Sequence, residues 1–139
     1  MLLAASVHRK RTYAATSVGS RSRFTAAGAS IDGVEGQPAF VTYGFDYKTG
    51  TYCGAGATRF NLVASDGSHF VGGCANGDAS PGSESGWTRV TFDPTTDAFP
   101  PITPGATIVS LSLIHDEQGQ ALLDNIRVGA NDPITKPGR

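Results

Sequence analysis

Apolar and polar residues alternate in short runs from about residue 21 to residue 129, and the runs are bounded by Gly, Pro, Asn and Asp. Successive side chains of a strand point to opposite faces, so period-two runs with such punctuation predict strands. They fall over 21–27, 39–47, 57–65, 68–72, 87–92, 107–115 and 122–128. No stretch repeats apolar residues at the 3.6-residue period of a helix for long enough to predict one. The alternation also assigns faces. Val41, Tyr43, Phe45 and Tyr47 share one side, as do Phe60 with Leu62, Val90 with Phe92, and Val109 with Leu111 and Leu113. Asp46, Arg59, Asn61, Trp87, Arg89 and Thr91 fall on the opposite sides of their strands. Burying several such large apolar side chains per sheet, at about 1.5–3 kcal/mol each, drives two sheets together. The expected fold is all-β, a two-sheet antiparallel β-sandwich of jelly-roll type.

Length and composition agree with that fold. A chain of 139 residues is one domain by size. Its 18 Gly and 8 Pro fit a turn-rich β protein and stay below the level of a disordered one. The expected organisation is a basic, flexible leader over 1–20, the sandwich over 21–130 and a flexible tail over 131–139. Arg9, Lys10, Arg11, Arg21 and Arg23 give the first 31 residues a balance of +5, against −6 for the remainder. A basic arm can touch phosphate or an anionic lipid surface; the plainer alternative is a solvated leader. The net charge of −1 excludes a nucleic-acid binder driven by overall charge. No apolar run is long enough to span a membrane. An apolar stretch over 1–7 precedes His8-Arg9-Lys10-Arg11, the reverse of the order in a secretory signal.

Cys53 and Cys74 flank a segment that reads as two short strands joined at Asp66-Gly67. A hairpin of that length brings its ends together, so a disulfide is expected, and with it an oxidising, extracytoplasmic compartment. Two buried free thiols are the alternative.

Candidate chemistry is sparse. Trp87 and Arg89, with Arg59, Asn61 and Asp46, could form a sugar-binding platform: an indole covers a sugar's C–H face while the polar groups take its hydroxyls. Trp87 capping the edge of the core is the competing reading. Plain alternation turns Asp124 toward the core beside Ile126 and Val128, where a carboxylate needs donors or a cation. A hydrogen-bonded Asp, a structural calcium completed by carbonyl oxygens and a shifted register are the three solutions. Gly82-Ser83-Glu84-Ser85-Gly86 has Glu84 where a nucleophile elbow has serine. His115, Asp116 and Glu117 are adjacent and are the candidates for a small hydrolase, provided that a closed pocket surrounds them. No phosphate-cradling glycine motif is present.

The order Gly86-Trp87-Thr88-Arg89-Val90-Thr91-Phe92, an apolar strand over 108–115, the turn Asp116-Glu117-Gln118-Gly119 and Leu123-Asp124-Asn125-Ile126-Arg127-Val128 resembles the closing half of galactose-binding-like jelly rolls. That group includes many bacterial carbohydrate-binding modules. The resemblance covers 86–129 by motif and 21–75 by strand pattern. It implies a sandwich of about eight or nine strands, often appended to a secreted enzyme or adhesin, with a structural calcium at Asp124. The chain departs from it in having no clear first strand before Arg21. The expected function is a non-catalytic carbohydrate-binding module; the alternatives are a structural or protein-interaction domain of a surface protein, and the small hydrolase.

Overall fold

The computed structural model describes residues 27–129 in full, together with two backbone strands nearer the N-terminus. The strands are β1 (Leu2–Ser6), β2 (Thr12–Ser17), β3 (Ala27–Ser30), β4 (Tyr43–Lys48), β5 (Arg59–Ala64), β6 (Gly67–Gly72), β7 (Asp78–Pro81), β8 (Trp87–Phe92), β9 (Ala98–Phe99), β10 (Ile108–His115) and β11 (Gly119–Val128). One sheet has the order β3-β10-β5-β6-β9; the other runs β11-β4-β8-β7 and continues beyond β11 through β2 and β1. All pairings are antiparallel. The chain passes repeatedly between the layers, and the molecule is a two-sheet antiparallel β-sandwich of jelly-roll type.

The alternation correctly orients the centre of both sheets, except that Val109, expected inward with Leu111 and Leu113, is 55% exposed because the register of β10 shifts between Ile108 and Ser110. Tyr43, Phe45, Phe60 and Phe92 are fully buried and form one aromatic cluster between the layers. The Phe45 and Phe92 rings meet edge-on at 5.5 Å, and Tyr43 lies 5.5 Å from Phe60. The Tyr43 hydroxyl donates to the Ala39 carbonyl at 2.7 Å, which satisfies its one polar atom in the core. Burial raises the pKa of that hydroxyl. Leu62, Val71, Val90, Leu111, Leu113, Leu123, Ile126 and Val128 complete the interior.

Strand ends and short edges differ from the pattern-based expectation. β7 and β9 lie within 75–86 and 93–105, between the strands that the alternation predicts. Each is an edge strand, four or two residues long, recruited by a neighbour's free hydrogen-bonding groups. The β5–β6 hairpin turns at Ser65-Asp66, and Gly67 pairs with Ala64 as the first residue of β6. β1 and β2 are strands before residue 21, where the sequence shows no clear one. The rest of the expected leader, residues 21–26 of the first expected strand, and the tail over 131–139 lie outside the described residues. No helix among the described residues is long and apolar enough to cross a membrane.

Candidate functional site

The outer face of the five-stranded sheet carries one continuous transverse row. Ser30 pairs with Ser112, Ser112 with Asn61, Asn61 with Phe70, and Phe70 with Phe99. Strands lie about 4.8 Å apart, so the row spans roughly 19 Å. Its start is hydroxyl and amide; its end is aromatic. Phe70 is 54% exposed and Phe99 50%, while their strand neighbours Val71 and Ala98 are buried.

Arg59 stands beside this row and is held from several sides. Its guanidinium lies 5.0 Å from the Phe70 ring centroid. Nε donates to Asn61 Oδ1 at 3.1 Å, and Nη1 to the Gly56 carbonyl at 2.9 Å. Both Nη atoms donate to Asp116, at 2.8 and 2.9 Å, a bidentate pair that fixes the plane of the fork. The Arg59 bonds hold the Asp116 carboxyl below its ordinary pKa against the opposing effect of burial. Arg59, Phe70 and Phe99 border an open groove of about 380 Å³, with Gly56, Gly73 and Asn76 on its other wall.

Local covalent structure builds that wall. Cys53 and Cys74 form a disulfide with Cα atoms 5.1 Å apart. It ties the segment after β4 to the turn after β6. The Gly73 amide donates to the Ala55 carbonyl at 3.2 Å, Ala75 to Gly54 at 3.0 Å, and the Asn76 side-chain amide to Ala55 at 2.9 Å. A Cβ on Gly73 would come within 2.7 Å of Ala55 O, so only glycine lets the two segments touch.

The expected platform is divided between the two sheets. Arg59 and Asn61 face outward from β5, whereas Asp46, Trp87 and Arg89 face outward from β4 and β8 on the other layer. Alternation fixes the side of each strand but not the sheet that the strand joins. On the second layer Asp46 is 1% exposed. Its Oδ1 accepts from Arg89 Nε at 2.9 Å, and its Oδ2 from the Ser83 amide at 3.0 Å and Asn125 Nδ2 at 2.9 Å. Burial pushes the Asp46 pKa up, but the Arg89, Ser83 and Asn125 hydrogen bonds outweigh it and the net shift is downward. Trp87 is half-buried, with the Lys48 ammonium 5.7 Å from its ring centroid.

The core-facing orientation expected for Asp124 is corrected by a bulge. Leu123 pairs with Tyr47 and Asp124 with Asp46, after which the register shifts so that Arg127 pairs with Gly44. Asn125 takes φ +48°, a left-handed conformation that asparagine tolerates. The extra residue lets Leu123 and Ile126 both point inward while Asp124 joins Asp46 on the outer side. Asp124 Oδ1 accepts from the Asn125 amide at 2.8 Å. Calcium takes about six to eight oxygen ligands; here the two carboxylates Asp124 and Asp46 are paired across β11 and β4, and Asp46 already accepts from Arg89, Ser83 and Asn125. Among the described residues no group of three or more His, Cys, Asp or Glu could hold a metal ion.

The adjacent trio faces three different partners. His115 is fully buried; its Nε2 meets the Gly119 carbonyl at 3.0 Å, and Nδ1 shares a hydrogen bond of 3.2 Å with the Thr58 hydroxyl. Asp116 is held by Arg59, and Glu117 Oε2 accepts from the Tyr52 hydroxyl at 2.6 Å. The groove beside Arg59 is lined by none of the trio.

Phe70 and Phe99 are the residues that the sequence reading misses. Phe70 alternates with Val71, and two apolar neighbours on opposite faces leave open which one is inside. Phe99 precedes Pro100-Pro101, where no period can be read. His69 misleads the alternation: a polar residue reads as outward, yet it takes the inward position of β6 at 4% exposure, which puts Phe70 outside. No family model, no curated protein and no solved structure matches the chain.

Proposed function

We propose that this domain is a non-catalytic carbohydrate-binding module whose ligand lies on the outer face of the five-stranded sheet. The transverse row carries the reading: two exposed aromatic rings in line with Asn61, Ser112 and Ser30, beside an arginine that is already oriented. Aromatic faces take up the C–H surface of a sugar, and the amide, hydroxyl and guanidinium groups match its hydroxyls. The open form of the groove fits a chain of sugar units better than a small enclosed molecule. The likeness to galactose-binding-like jelly rolls supports the same function, and the disulfide supports a secreted or extracytoplasmic setting.

A second reading is a protein-interaction domain. It is favoured by Val63 and Val109, which are 40% and 55% exposed and add to the apolar surface of the molecule. Screening the purified domain against immobilised glycans, followed by calorimetric titration, separates the two. Saturable binding that falls at least tenfold in Phe70→Ala and Phe99→Ala is the expected result. No glycan binding, together with a concentration-dependent dimer that the same substitutions dissolve, would overturn the carbohydrate reading in favour of the second.

A further inference from the structure

We infer that the opposite face, on the second sheet, carries an oxyanion-binding notch built around Arg127, suited to the carboxylate or sulfate group of an acidic ligand. The bulge in β11 that turns Asp124 outward also sets the register in which Arg127 pairs with Gly44, and Gly44 pairs with Thr91. Ile126 and Val128 are buried, so Arg127 between them faces outward. Gly44 carries no side chain, and a Cβ there would come within 2.7 Å of the Val90 carbonyl oxygen, so β4 and β8 approach closely at this point. A cavity of about 50 Å³ lies there, bordered by Thr42, Gly44, Arg89, Thr91, Arg127 and Gly129. About 10–15 Å³ suffices for one water, so the notch has room for a larger oxygen-bearing group.

Among the described residues that border the notch there are two arginines and no carboxylate. Arg89 is committed to Asp46 through Nε and to Ser83 through Nη2. Asp46 is in turn saturated, which leaves it no role as acceptor for Arg127. Asp78 shares the outward row but lies across Thr91 on β7. Three strand spacings separate it from Arg127, roughly 14 Å. The Nε of Arg127 is buried and has no hydrogen-bond acceptor among the described residues. A buried N–H without an acceptor is unfavourable, and folded proteins leave few of them. An oxyanion seated in the cavity would meet the outer edge of the Arg127 fork, whose paired Nη–H groups offer carboxylate and sulfate a two-point geometry. The Thr91 hydroxyl and the Arg89 charge stand on the other side of the same cavity. This site is independent of the aromatic row on the other layer.

The test is a nuclear magnetic resonance titration of the intact chain with sodium acetate and, separately, sodium sulfate, at constant ionic strength maintained with chloride. Saturable displacement of the Arg127 Nε–H resonance, with the Gly44 and Gly129 amides following the same curve, is expected for at least one probe. Response to acetate alone identifies a carboxylate ligand, and response to sulfate alone a sulfate ester. Arg127→Lys keeps the charge and removes the Nε–H and the planar fork, and it should weaken binding at least tenfold. Linear, non-saturating shifts with both probes, or equal affinity in Arg127→Lys, would overturn the proposal. The glycine amides report on the unsubstituted protein, so the result stands even where the variant folds poorly.

Discussion

Phe70 and Phe99 sit directly opposite each other in the register of β6 and β9, and about half of each ring is left in solvent. Two aromatic side chains on adjacent strands form a flat apolar strip at the edge of a face that is otherwise polar. Strip and polar row together distinguish this layer from the other, where Asp46, Ser83, Arg89 and Asn125 are engaged with one another.

Truncating these rings should separate binding from stability. A cross-strand pair on an exposed face contributes about 0.2–1 kcal/mol, so Phe70→Ala or Phe99→Ala should lower stability by no more than about 1 kcal/mol. Phe60→Ala, at the centre of the buried cluster, should cost about 3–5 kcal/mol. Urea denaturation measures both. A collapse of the Phe70→Ala variant would show that the ring is structural.

Removing Arg89 should be costly because of what it leaves behind. Asp46 is buried and would keep its charge with only neutral donors. Arg89→Met is expected to destabilise by about 3 kcal/mol, at the low end of the range for a broken buried pair because Arg89 remains partly exposed to solvent. Adding Asp46→Asn to it should recover part of that loss. Strictly additive losses would mean that the pair is not coupled.

Acid sensitivity should reside partly in the clasp between the β5–β6 turn and the chain beyond β9. Both ring nitrogens of His69 face acceptors, Nε2 at 2.8 Å from Asp66 Oδ1 and Nδ1 at 2.7 Å from the Pro100 carbonyl. The His69 and Thr103 hydrogen bonds hold the Asp66 pKa down at about 2. The unfolded value is about 3.9. The stabilisation is therefore complete above about pH 3.9 and is lost as the pH falls through about 2. Asp66→Asn should flatten the stability curve between those values in acid denaturation followed by circular dichroism. An unchanged acid limb would place the sensitivity elsewhere.

Opening the disulfide should loosen the groove as well as the fold. With Cys53 and Cys74 separated by 21 positions, the chain-entropy model gives about 3 kcal/mol. The paired substitution Cys53→Ser with Cys74→Ser should lose about that much and speed amide exchange at Ala55, Gly73 and Asn76. Exchange that rises uniformly over the molecule instead would argue against a local role.

Calcium should leave the melting temperature where it is. A ligand bound to the native state alone, at 100 times its dissociation constant, adds about 2.7 kcal/mol. Thermal unfolding with calcium and with excess chelator should superimpose. A calcium-dependent rise that disappears in Asp124→Ala would restore the metal reading of that carboxylate.

The sequence by itself determined the fold class and most of the inward set, with Val109 the exception. Tyr43, Phe45, Phe60, Val90 and Phe92 are legible because period-two burial is a local property of each strand. The pairing of Cys53 with Cys74 is legible because the hairpin between them has the right length. Which strands share a sheet is decided only when the layers assemble. Asp46 and Arg89 therefore meet across β4 and β8, whereas Arg59 and Asn61, equally outward in pattern, belong to the other layer. The direction of Asp124 depended on Asn125 taking a left-handed conformation, a choice that keeps both Leu123 and Ile126 buried and that no alternation rule contains. Phe99 became a strand residue only because β6 offered a free edge. The local pattern carries the burial of side chains, and the tertiary structure alone brings together groups distant in the chain, because register and layer are set by the packing of the whole core.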